Sequence, residues 1–174
     1  MQAEQRRRAI GEILDGASQP VSAAALAAQF SVSRQVIVGD VALLRAAGAN
    51  ISATPRGYVI LPAAGGLIRQ IASRHEAEDM EPELNAVVDE GCTVLDVIVE
   101  HPVYGQLTGP LQISNRFEVR QFLQRCRMSD ARPLSELTGG IHLHTLSCPD
   151  EAAYRRVLAA LEALGVLLTE GNAD

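Results

Sequence analysis

Lysine is missing from this 174-residue chain, so all 15 of its basic side chains are arginines. Beside the high alanine content, that absence reads as genome composition. It still leaves planar, forked cations wherever a base edge or a phosphate is to be held. Long apolar runs are also absent: no stretch approaches the roughly 18 residues a membrane span needs. The opening MQAEQRRRAIGEIL has no apolar core of the signal-peptide kind, and the expectation is a soluble, cytoplasmic chain with no membrane partner. Cysteine is scarce. Cys92, Cys126 and Cys148 are odd in number, far apart and never in CxxC spacing, which argues against a disulfide framework or a cysteine-type zinc site. HExxH, GxSxG and phosphate-loop patterns do not occur.

Charge is unevenly spread. Residues 1 to 60 hold six arginines against four acids, net +2, and residues 61 to 174 hold nine against seventeen, net −8. Such asymmetry points to two domains with different partners. The small-residue stretch LPAAGG at 61–66 reads as a linker between residues 1–62 and 67–174.

In the first part, Ile10, Ile13 and Leu14 recur at helical spacing before Gly16, and a second helix is expected from Ser22 to Phe30. A third starts at Ser33, faces Ile37, Val41 and Leu44 inward, turns Arg34, Gln35, Val38, Gly39 and Ala42 outward, and ends at Gly48. The run NISATPRGYVIL behind it is a hairpin signal centred on Pro55 and Arg56. Three helices and a hairpin are the order of a winged helix-turn-helix. The stretch VSRQVIVGDVALLRAAG…ISATPRGYVI closely resembles the biotin-repressor-type winged helix that opens many bacterial regulators. A helix capped by Ser33 offers free N–H groups to phosphate. Arg34, Gln35 and Val38 are placed to reach base edges of double-stranded operator DNA, and Arg56 to touch the backbone or minor groove. Gly39 departs from the resemblance, which implies a polar side chain there, and costs about 1 kcal/mol of helix propensity.

The second part reads β-α-β-β-α-β-α, an α+β fold in which an open sheet carries helices on one face as a two-layer sandwich. Its strands are expected at LIRQIASRH, CTVLDVIVEHPVYG, QLTGPLQI and GIHLHTL, with VLL as a further short one. Its helices are expected from about Pro82 to Gly91, over SNRFEVRQFLQRCR and over PDEAAYRRVLAALEALG. In GGIHLHTL, His142 and His144 share one strand face at about 6.5 to 7 Å. The pair alone suits either a metal clamp or two histidines on a polar sheet face.

His75 ends the first strand of this part, and Glu83 follows after seven intervening residues, in the first turn of a helix whose dipole also favours a carboxylate. With HPVYG and HLH, this order resembles the three-histidine (3H) ligand-binding domain found behind the same winged helix in bacterial niacin-responsive repressors of NAD synthesis. The resemblance spans residues 1 to about 168. It implies one divalent transition metal per chain (Ni, Zn, Fe or Co) held by His75, Glu83, His142 and His144, with nicotinate or a related pyridine carboxylate as effector and corepressor. It also places His101 at the effector, although a packed histidine at a strand end reads equally well. Arg116 has the fork to hold the effector's carboxylate, or is an ordinary surface arginine.

The reading is therefore a metal-dependent, small-molecule-responsive transcriptional repressor, not an enzyme, acting as a homodimer on paired half-sites. The alternatives are a winged-helix protein-interaction module and a small metallohydrolase. Barrel amidohydrolases do use HxH, but they need about 250 residues.

Overall fold

A computed structural model describes residues 2–60 and 66–170, and the chain divides into two compact units, residues 1–63 and 64–174. The stretch expected as a linker lies outside the described residues, Gly66 excepted.

The first unit is built from α1 (Ala3–Gly16), α2 (Ala23–Phe30), α3 (Arg34–Ala46) and a hairpin of β1 (Ile51–Thr54) and β2 (Gly57–Ile60). Ser22 and Ser33 each place a hydroxyl on a first-turn N–H, from Ala25 at 3.0 Å and from Val36 at 3.3 Å, and so start α2 and α3. Apolar residues at helical spacing close the core: Ile10 and Leu14, Leu26 and Ala27, Ile37 and Val41, with Ile51 from the hairpin. Leu44 is half-buried at its edge. Gly57 is required where it stands, because a Cβ there would lie 2.5 Å from the Val21 carbonyl that anchors the hairpin.

The second unit contains β3 (Leu67–Arg74), α4 (Met80–Val88), β4 (Thr93–His101), β5 (Gly105–Ile113), α5 (Arg116–Met128), β6 (Ile141–Cys148) and α6 (Glu151–Ala163). Its strands form one antiparallel sheet in the order β3-β6-β4-β5. Ile71, Val94, Leu111, Ile113, Leu146 and Cys148 point from one sheet face into the apolar sides of α4, α5 and α6. The chain is thus an α+β protein, a helical unit with a small hairpin followed by a two-layer sandwich.

Two expectations shift. The helix expected from Pro82 begins at Met80, after a 3-10 turn at Ala77–Asp79. Proline is tolerated at its third position because the first four N–H groups of a helix have no intrahelical partner. The expected VLL strand is a single antiparallel bridge from Leu167 to Ser73 at the edge of β3.

Candidate metal centre

Alternation along β6 decides which face the histidines take. His142, His144, Leu146 and Cys148 point toward the helices and are buried, whereas Leu143, Thr145 and Ser147 point away. At 3% exposure each, His142 and His144 are not histidines on a polar sheet face; they lie beneath α4. That helix delivers Glu83, exposed by only 1%, onto the same spot, and β3 ends there in His75, itself buried.

The Glu83 Oε2 atom lies 2.6 Å from His75 Nε2 and 3.3 Å from both His142 Nε2 and His144 Nε2. Candidate donor atoms of His75, Glu83 and His142 all fall within 4.8 Å of one another. The opposite ring nitrogens are tied to main-chain carbonyls. His75 Nδ1 meets the Glu76 carbonyl at 2.7 Å, His142 Nδ1 that of Gly140 at 2.8 Å, and His144 Nδ1 that of Asp96 at 2.6 Å. A carbonyl only accepts, so each Nδ1 carries a proton. In the neutral ring each Nε2 is then a bare lone pair. Three such lone pairs and a carboxylate converge on one buried point, an arrangement that is repulsive until a cation enters.

Without a metal, protons must serve as that cation. Burial disfavours the imidazolium of His75 and His144, yet the Glu83 carboxylate outweighs it and raises both above the ordinary value. Burial likewise disfavours ionised Glu83, but the three imidazoles hold its carboxyl well below the usual range. The other oxygen, Glu83 Oε1, is buried with no hydrogen-bond partner among the described residues, and such an orphan is costly unless something binds it. Neutral imidazoles plus a carboxylate, each ring oriented from behind by a carbonyl, suit a divalent transition metal.

The carbonyls that fix the three tautomers were not foreseen from sequence, but the glycine pair before HLH was a signal for one of them. Gly140 has φ +89°, and a Cβ on it would lie 2.5 Å from the His75 carbonyl oxygen. Only glycine lets the start of β6 pass so close behind His75 while offering its own carbonyl to His142.

The other site candidates are more dispersed. His101 ends β4, accepts the Val103 and Tyr104 N–H groups on Nδ1 at 3.1 and 3.2 Å, and rests against the Tyr104 ring. It lines an open groove of about 1070 Å³ whose wall includes Ala72, Ile98, Leu143 and His142. Arg116 is elsewhere: it opens α5, and its exposed fork is closed on Asp89 at 2.7 and 2.6 Å. In the first unit Arg34 and Gln35 are exposed at the start of α3, Val38 is half-buried, and Ser33 caps the helix. Half-buried Arg56 sits in the hairpin turn with a guanidinium bond of 3.4 Å to Gln19.

Sequence reasoning missed Asp40. It is buried on α3 and held by Arg6 at 2.6 Å and Arg7 at 3.6 Å. Two of the unit's six arginines therefore serve its interior fold.

Comparison with known proteins matches the HTH domain over residues 6–59 and the 3H domain over residues 68–170. The chain is 45% identical over 168 residues to the "Probable transcription repressor NiaR" of Thermotoga maritima, covering 97% of this chain and 96% of that protein. It is 44% identical over 161 residues to the "Transcription repressor NadR" of Bacillus subtilis, covering 90% and 89% respectively.

Proposed function

The chain belongs to the 3H-domain family, and from that premise we propose that it is a metal-dependent transcription repressor that senses nicotinate. Relatives named as repressors match it over nearly its whole length, so it is a DNA-binding regulator and not an enzyme. The observation that carries the metal and effector part is the convergence of three Nε2 lone pairs on Glu83 Oε2.

His75, Glu83, His142 and His144 would hold the ion, whether Ni, Zn, Fe or Co. When bound, it supplies a positive anchor for a pyridine carboxylate. The groove beside His142 gives such a ligand apolar walls in Ile98 and Leu143, and His101, with Nδ1 accepting two N–H groups, has its Nε2–H to donate. Arg34, Gln35 and Val38 on α3 read base edges, with Ser33 on the phosphate backbone and Arg56 on the backbone or in the minor groove, and two copies occupy paired half-sites. Nicotinate then acts as corepressor, regulating genes of NAD synthesis or niacin uptake.

Elemental analysis of the purified chain, followed by titration with nicotinate, nicotinamide and biotin, tests this together. One metal ion per chain is expected, with operator affinity rising about tenfold or more on adding nicotinate and unchanged with biotin. A metal-free protein whose operator binding ignores all three ligands would refute it.

A further inference from the structure

Two buried side-chain oxygens of the second unit have no hydrogen-bond partner among the described residues, Glu83 Oε1 and Ser73 Oγ. The first belongs to the metal centre already described. The second lies on the strand beside it. Ser73 is fully buried on β3, and strand alternation turns its side chain toward the helix-covered face, with Ile71 before it and His75 after it. Register sets it directly opposite His142, as it sets Ile71 opposite His144. Side chains paired in this way stand about 4.5 to 5.5 Å apart at Cβ. His142 Nε2 in turn lies 3.3 Å from Glu83 Oε2. The hydroxyl therefore belongs to the floor of the His/Glu cluster.

The strand itself does not need that hydroxyl. Both edges of β3 are already paired: β6 runs along one, and on the other the Arg74 N–H donates to the Val166 carbonyl and the Leu168 N–H to the Ala72 carbonyl, each at 2.9 Å. Alanine would fill the same place with no polar atom to desolvate, whereas a buried hydroxyl is costly until something binds it. We infer that Ser73 is a ligand-holding residue of the metal centre, its hydroxyl hydrogen-bonded to an oxygen bound on the ion, that of a water or of the effector's carboxylate. This rests on the metal and effector reading proposed above. A hydroxyl suits either oxygen, because it accepts from a water whose protons the ion has made acidic and donates to a carboxylate. A metal-bound water has two protons to place, and Ser73 Oγ and Glu83 Oε1 are two buried acceptors with nothing yet to accept.

Ser73→Ala in the full chain tests this, with Ile71→Val as a control that trims a buried side chain on the same strand face, also opposite a histidine. Zinc affinity is measured by competition with a chromophoric chelator, and nicotinate affinity of the zinc-loaded chain by calorimetry. Ser73→Ala should weaken one of these about tenfold or more and shift the visible bands of bound cobalt under the same condition, while Ile71→Val leaves both affinities within about twofold. Loss on zinc alone assigns the oxygen to water, and loss confined to nicotinate assigns it to the carboxylate. The thermal midpoint of metal-free Ser73→Ala should stay at or above the parent's, since an unanswered hydroxyl has been removed, and only the gain on adding zinc or nicotinate should shrink. Zinc and nicotinate affinities both within about twofold of the parent, or a metal-free midpoint that falls as far as the loaded one, would overturn the inference. A parent chain that binds neither zinc nor cobalt counts against the metal centre and Ser73 together. If the parent takes up zinc but ignores nicotinate, only the sensor fails and the zinc measurement decides; if it binds both and Ser73→Ala matches it, only the role of Ser73 fails.

Discussion

Among the described residues each unit buries one carboxylate, and the two are paired at the same distance with opposite meaning. Asp40 lies 2.6 Å from Arg6 in the first unit, and Glu83 lies 2.6 Å from His75 in the second. A guanidinium is always protonated and only donates, so Asp40 is fully answered: its fork partner is complete, and Arg7 stands behind at 3.6 Å. An imidazole has one proton when neutral. At each histidine around Glu83 that proton is already committed to a backbone carbonyl. The first arrangement is closed and holds α1 to α3. The second remains one cation short, which distinguishes a binding site from a structural ion pair better than distance does.

The largest expected effect comes from removing imidazoles. His142→Ala with His144→Ala should lower metal affinity by at least about a hundredfold and abolish the nicotinate response. Because both rings are buried, the variant should also lose stability even without metal. Plasma emission analysis of the dialysed variant decides this: one retained metal per chain would reduce Glu83 to a second Asp40. The pH dependence should have two opposite signs. In the metal-free chain, the raised values of His75 and His144 contribute stability that is complete below pH 6.5 and fades as pH rises through them. The depressed value of Glu83 contributes above pH 4.5 and fades as pH falls through it. The metal-free cluster is therefore most stabilising between pH 4.5 and 6.5. Metal requires neutral rings, so the thermal shift caused by added Zn or Ni should grow from about pH 6 to about pH 8.

Next in size is Asp40→Ala, expected to cost about 3 kcal/mol by leaving the largely buried Arg6 unpaired. Metal content should not change. Arg6→Ala combined with Asp40→Ala should cost less than the sum of the single changes, measured by denaturant unfolding.

Element order was legible because it is written locally. The recurrence of Ile10 and Leu14, or of Ile37 and Val41, together with the serine caps, needs no partner to be read. The order of the His/Glu motifs pointed to His75, Glu83, His142 and His144, which the fold brings to one point. Alternation alone could not tell which face of β6 would be covered, so the burial of the pair came only with α4. Pairings across the chain were out of reach for the same reason. Arg116 looked free for a ligand, yet Asp89 closes its fork from 27 residues away, and Asp40 meets Arg6 over 34. The carbonyls behind the histidines carry no side-chain signature at all; Gly140 alone left a trace.

The smallest effects fall on the outer side of α3 and sharpen the contrast between its buried and exposed faces. Arg34→Ala should weaken operator binding by about 1 to 3 kcal/mol and scrambled DNA much less; equal loss on both would make Arg34 a phosphate contact. Gly39 is subtler. It is exposed in mid-helix, and a Cβ there would meet nothing within 4 Å. Gly39→Ala should therefore raise stability by about 0.5 to 1 kcal/mol, since alanine loses less backbone freedom than glycine on entering a helix. If the glycine only reflects a missing base contact, operator affinity should stay within about twofold of the parent while the thermal midpoint rises. If instead the backbone of α3 must approach a base pair closely at that point, the added methyl should cut operator affinity about tenfold or more despite the gain in stability. Fluorescence anisotropy on operator DNA, beside a thermal melt of the same preparation, separates the two outcomes, and parallel changes in both measurements would exclude either reading.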